Sequence, residues 1–119
     1  MTLYAVTREA GPGWTEGKGA FDQPAVNDHA GFMNTLAVEG FVLFAGPLAG
    51  SERDRIRVLL IADAPSEAEI YRRLADDPWE RAQRLATTNI EPWTLLVGAE
   101  RLVNHSRAES ARTTPAPVQ

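Results

Sequence analysis

A chain of 119 residues supports one hydrophobic core, and 44% apolar with 24% charged residues is ordinary for a globular domain. The net charge of −4, from 12 basic and 16 acidic residues, comes with no Lys/Arg cluster on one element, which excludes the basic stripe that nucleic-acid binding needs. With no cysteine, disulfides, thiolate metal sites and a cysteine nucleophile are excluded together, and two histidines are too few for a histidine-rich metal cluster. Met1 to Arg8 lacks the basic and long apolar regions of a signal peptide, and no apolar run approaches the ~20 residues of a membrane span. The expectation is a cytoplasmic protein with no membrane or nucleic-acid partner, no metal and no cofactor.

Leu3 to Thr7, apolar with aromatic and β-branched residues, predicts a first strand. Glu9 to Pro24 is a long connection whose four glycines and two prolines exclude a regular element. It carries Trp14 and Phe21, so it reads either as a lid over a pocket or as a flap packed on its own aromatics. The glycines lack phosphate-loop spacing. Ala25 to Glu39 predicts a helix ended by Gly40, with Val26, His29, Met33 and Leu36 on one stripe widened by Phe32 and Ala37. His29 then points inward, as a satisfied core histidine or as a proton-transfer group.

Phe41 to Ala45 is continuously apolar, which predicts a strand buried on both faces and broken by Gly46-Pro47. A polar turn over Leu48 to Arg55 leads to an antiparallel strand, Ile56 to Ala62. Ser66-x-x-Glu69 is a capping box opening a helix with Ile70, Tyr71, Leu74 and Ala75 on its apolar face. In Asp76-Asp77-Pro78-Trp79-Glu80, Asp77 suits the N-cap, Pro78 the first helical position and Glu80 a second capping pattern, for a short helix to about Arg84. Leu85 to Asn89 and Trp93 to Gly98 read as a last strand bent at Pro92. Residues 101–119, poor in large apolar side chains, read as a flexible tail containing His105.

Strand, helix, hairpin, helix, strand is the α+β ferredoxin-like βαββαβ order, with two main helices on one face of a four-stranded antiparallel sheet. The third predicted strand is apolar at both parities, with Leu59 and Ile61 on one side and Val58, Leu60 and Ala62 on the other. A sheet with one solvated face should alternate, so a homodimer closing over the open face is expected.

Several stretches together resemble the YciI-like (YCII-related) proteins of the dimeric α/β-barrel group. They are Asp28-His29-Ala30-Gly31-Phe32-Met33, Gly40-Phe41-Val42-Leu43, Ala45-Gly46-Pro47-Leu48, Ala75-Asp76-Asp77-Pro78-Trp79 and Glu91-Pro92-Trp93, with Gly11-Pro12-Gly13-Trp14 matching a subset. The resemblance covers about residues 1–100. It implies a site made by the helix histidine and the aspartate before proline, here His29 and Asp77. It also implies small-molecule chemistry of the kind seen in a related dehydrochlorinase of a chlorinated hydroxyquinol, though a family name does not itself supply a reaction.

An aspartate holding one imidazole nitrogen leaves the other free to move protons. Trp14, Phe32 and Trp79 are candidates to line a pocket for a flat ligand, with Gly46 and Pro47 at its floor. Arg57, charged within an apolar strand, needs a partner in either a ligand anion or a nearby carboxylate. The expectation is a cofactor-free His–Asp enzyme performing elimination, isomerisation or dehydrochlorination on a small cyclic or aromatic oxygenated compound. The alternatives are a non-catalytic ligand-binding or accessory dimer, in which the same pair is structural, and an oligomeric scaffold without a ligand.

Overall fold

The computed structural model describes residues 2–102. Four strands, β1 (Leu3–Ala10), β2 (Val42–Pro47), β3 (Arg57–Asp63) and β4 (Leu85–Pro92), form one antiparallel sheet in the order β2-β3-β1-β4. Helices α1 (Val26–Val38), α2 (Glu67–Leu74) and the single turn α3 (Pro78–Arg81) complete the expected ferredoxin-like βαββαβ arrangement. No helix among the described residues is long and apolar enough to cross a membrane.

One sheet face is packed by the helices. Tyr4, Val6, Val42, Leu60, Ala62 and Ile90 meet Leu36, Phe41, Ile70 and Leu74 in the main core. A second cluster, Trp14, Ala20, Ile56, Trp79 and Leu85, lies where the first loop meets α3. On β1, strand alternation places Arg8 on the same packed face as Tyr4 and Val6.

Local chemistry sets the ends of the helices. Gly40, at φ 81°, ends α1 with a Schellman pair: Phe41 N–H donates to Leu36 O and Gly40 N–H to Ala37 O. Ser66 Oγ accepts from Glu69 N–H at 3.1 Å, so the predicted N-cap forms, but the Glu69 carboxylate pairs with Arg72 and leaves the capping box half closed. The start of α1 has no side-chain cap; Ala25 sits there at φ 61°. Trp79 Nε1 donates to Pro24 O at 2.8 Å, tying that start to α3.

The long connection is clamped along its length. Buried Gln23 accepts from Thr15 N–H and donates to the carbonyls of Thr15 and Lys18. Gly11 and Gly13 lie against the backbone after α3; a Cβ on Gly13 would sit 2.2 Å from Ala82 O. Residues 20–22 make a short 3-10 turn, and Phe21 is exposed while Trp14 is buried.

Four expectations are corrected. The first strand runs on through Ala10, because Glu9 pairs with Arg57 and Arg8 finds buried partners. The second strand is an edge strand and is not buried on both faces: Phe44 is 58% exposed and Ala45 is exposed. Gly46 and Pro47 belong to that strand instead of breaking it, as an edge position tolerates a proline. The last strand ends at Pro92; Trp93 N–H still donates to Leu3 O, but Trp93 to Gly98 forms no strand. Residues 99–102 make a helical turn, and the predicted tail from 103 onward lies outside the described residues.

Candidate active site

Asp77 ends the connection from α2 and caps α3, its Oδ1 accepting from Trp79 N–H at 2.9 Å. Pro78 at the first helical position has no N–H to satisfy and presets the turn. The same carboxylate faces α1, where His29 Nδ1 lies 2.9 Å from both Oδ1 and Oδ2. From the sheet below, Arg8 Nη2 reaches Asp77 Oδ2 at 2.9 Å. Three elements thus converge on one carboxylate that is 0% exposed.

Arg8, itself 1% exposed, also donates through Nη2 to Glu80 Oε2 at 2.8 Å. Glu80 does not fold back to complete the predicted capping box, since its carboxylate is held by Arg8 and by Thr87 Oγ1. Burial opposes ionisation of Asp77. The His29 hydrogen bond, the charges of Arg8 and His29 and the Trp79 N–H outweigh it and hold the carboxyl below its ordinary range.

An ionised carboxylate only accepts, so the proton between Asp77 and His29 belongs on Nδ1. In neutral imidazole the lone pair is then on Nε2, which makes no hydrogen bond among the described residues. The His29 side chain is 18% exposed, so the pair is buried at the aspartate end and open at the histidine end. The imidazole stacks on Trp79, with centroids 4.0 Å apart, and Trp14 packs edge-on against Trp79 with centroids 5.6 Å apart.

The other predicted site residues are placed unevenly. Trp79 is 2% and Trp14 4% exposed, so they back the dyad as core residues and do not line an open cleft. Phe32 is half-buried against the main core, on the turn of α1 that follows His29. Gly46 pairs with Leu59 on the opposite face of the sheet from the dyad, and space is open around its missing Cβ, so it is no floor beside His29. Pro47 pairs with Val58 at the exposed end of β2. Arg57 is also on the open face, across from Glu9, and among the described residues it makes no ion pair within 4 Å. The sheet separates it from His29.

Sequence reasoning passed over Arg8 and took Glu80 for a cap. The signal for Arg8 was strand parity: once β1 continues past Thr7, an arginine falls in step with Tyr4 and Val6. The β1–β4 register shifts between Thr7 and Arg8, leaving an extra β4 residue at Thr88. Such a bulge re-aims neighbouring side chains, here beside the residues that grip Asp77 and Glu80.

No family model and no curated protein matches the chain. Among solved structures, the chain is similar to 5-chloro-2-hydroxyhydroquinone dehydrochlorinase from Burkholderia phenoliruptrix AC1100, determined in complex with 2,5-dihydroxybenzoquinone. The TM-score is 0.55 at 22% sequence identity, over 77% of this chain and 93% of that one. That likeness is one of fold, and it spans nearly the whole of the neighbour.

Proposed function

We propose that this chain is a cofactor-free acid–base enzyme, related to the YciI-like group, that acts through His29 and Asp77 on a small cyclic or aromatic oxygenated compound. The observation that carries the reading is the asymmetry of the pair. Asp77 is sealed from water and anchors Nδ1, while the exposed part of the His29 side chain offers an unpaired Nε2. The fold neighbour, a dehydrochlorinase bound to a flat dihydroxyquinone, supports that substrate class.

In the proposed reaction, Nε2 takes a proton from a ring hydroxyl or from a carbon next to a carbonyl. Asp77 stabilises the imidazolium that forms, and the electron pair left on the substrate delocalises into the ring. In an elimination that pair expels an anion such as chloride, for a net loss of proton and halide. In an isomerisation the imidazolium returns the proton at another atom.

The proposed working form is a homodimer through the open sheet face. Phe44 is 58% and Leu59 40% exposed there, next to Ile61 on β3. Arg57 and Glu9 lie on the same face, within reach of a partner subunit.

A second reading is favoured by the bonds to Asp77, which are enough to explain the residue without catalysis: it caps α3 and neutralises a buried arginine. In that case the chain binds a ligand or serves as an accessory dimer. The two readings separate in one experiment. Wild type and His29→Ala are screened by thermal shift and turnover against quinols, chlorinated hydroxyquinols, lactones and hydroxylated aromatics. The enzyme reading expects a compound that stabilises the wild type and is turned over, with His29→Ala folded but slower by roughly 10²–10⁴-fold. Ligand stabilisation without turnover supports the binding protein, and full turnover by His29→Ala rejects the dyad.

A further inference from the structure

Building on the acid–base reading of the dyad, we infer that Arg8 is its positioning residue: it supplies the permanent counter-charge of Asp77, so that His29 is free to alternate between neutral and protonated. Arg8 does not face solvent and touches no open part of the site. Its effect would pass entirely through the carboxylate.

The charges in the cluster make the case. Arg8 at 1% exposure and Asp77 at 0% are each costly to bury alone. Apart from His29, Arg8 is the cation in contact with Asp77 among the described residues. Without Arg8, the buried carboxylate has two ways to shed its charge. It binds a proton, and then no longer demands the hydrogen on Nδ1. Or it holds His29 as a lasting imidazolium, and then Nε2 is no base. With Arg8 in place, neither is required.

The bonding of the guanidinium points the same way. Both carboxylates converge on Nη2, at 2.9 Å and 2.8 Å. Nη1 meets only the weak acceptor Met33 Sδ at 3.6 Å, and Nε is buried with no partner. A guanidinium carries five N–H donors. Here two donors of one nitrogen carry the strong bonds, and Glu80, whose side chain is 20% exposed, shares the charge from the solvent side.

The test uses ¹⁵N-histidine spectra of the full chain, with His105→Gln to assign the two histidines. The wild type is expected to show neutral His29 with its proton on Nδ1. Finding that proton on Nε2 in the wild type overturns the inference whether or not any variant folds. In folded Arg8→Gln, His29 is expected either to lose the Nδ1–H preference or to stay protonated where the wild type is neutral. Turnover should fall at least roughly tenfold with little change in KM. Arg8→Lys, which keeps the charge, should restore part of both.

Wild-type spectra in folded Arg8→Gln overturn the positioning role even if turnover falls. Such a fall without a tautomer change would leave the acid–base reading standing. The expected spectra in a protein that turns over none of the compounds would uphold Arg8 and reject the catalytic reading instead.

Discussion

The imidazole of His29 lies flat on the indole of Trp79, with centroids 4.0 Å apart and planes 6° from parallel. The stack fixes the plane of the imidazole, and the contact with Asp77 fixes its rotation within that plane. Trp79 is itself held by Trp14 and by its Nε1 bond to Pro24 O. Because Pro24 precedes α1, one indole sets both where the helix starts and where its histidine rests.

Trp79→Phe keeps an aromatic face but loses the bond to Pro24, so it should cost about 1–2 kcal/mol and preserve most turnover. Trp79→Leu removes the stack and empties buried volume; about 3 kcal/mol of stability should go. Turnover should fall further than in Trp79→Phe. Urea unfolding and steady-state kinetics check both variants. Equal turnover in the two would show that the stack does not position the imidazole.

Asp77 should shape the response to acid. Its carboxyl is held below the ordinary range in the folded chain, so on acidification the unfolded chain takes up that proton first. The stabilisation is therefore complete above the unfolded value of about 3.9 and is lost as pH falls through the lower folded value. Asp77→Asn should lower stability near neutral pH by about 2–4 kcal/mol, since Arg8 keeps Glu80 but loses its buried partner. It should also flatten the fall in stability below pH of about 4. Urea midpoints measured across acid pH test the sign: an unchanged acid slope in Asp77→Asn would place the acid-labile group elsewhere.

Much of this was legible because local chemistry and global packing agree. The Ser66 N-cap, the Asp77-Pro78 start and Gly40 each name a helix end through a backbone group that must be satisfied, and each helix ends where it was read. The His29–Asp77 approach was legible too, from an inward histidine taken together with the family resemblance. What failed depended on partners far away in sequence. Phe41 to Ala45 is as apolar as an interior strand, but only sheet order makes it an edge. Gly46 and Arg57 looked site-like from local context, yet strand parity sends both to the other face. Arg8 was missed because an arginine reads as a strand end until its acceptors, 69 and 72 residues away, are in place.

The open face of the sheet offers a direct test of assembly. Phe44 and Leu59 are its exposed apolar side chains on β2 and β3, while β4 contributes Asn89 and Glu91. At ~25 cal/mol per Å² of apolar area, removing such residues from water supports association once a partner covers them. Phe44→Glu combined with Leu59→Glu should convert a dimer into a monomer without changing far-ultraviolet dichroism. Sedimentation or light scattering reads the mass. A wild type that is monomeric at micromolar concentration, or a double variant that stays dimeric, would put the interface elsewhere or nowhere.

Two glycines should respond oppositely to alanine. Gly31 lies exposed in the middle of α1, with nothing within 4 Å of the position a Cβ would take. Glycine there carries only its entropic penalty, so Gly31→Ala should stabilise the fold by about 0.5–1 kcal/mol. Gly13 packs against backbone after α3, where a Cβ would lie 2.2 Å from Ala82 O and 2.9 Å from Gln83 C. Neither atom is the end of a flexible side chain, so Gly13→Ala must push the loop off that turn and break the Gly13 N–H bond to Gln83 O. A loss of about 2–3 kcal/mol is expected, comparable to other overpacked buried sites. Because the loop also carries Trp14 against Trp79, Gly13→Ala should loosen the indole under His29 and slow turnover, whereas Gly31→Ala should not. Denaturant midpoints and kinetics on both variants test this, and a stable, fully active Gly13→Ala would show that the loop does not brace the site.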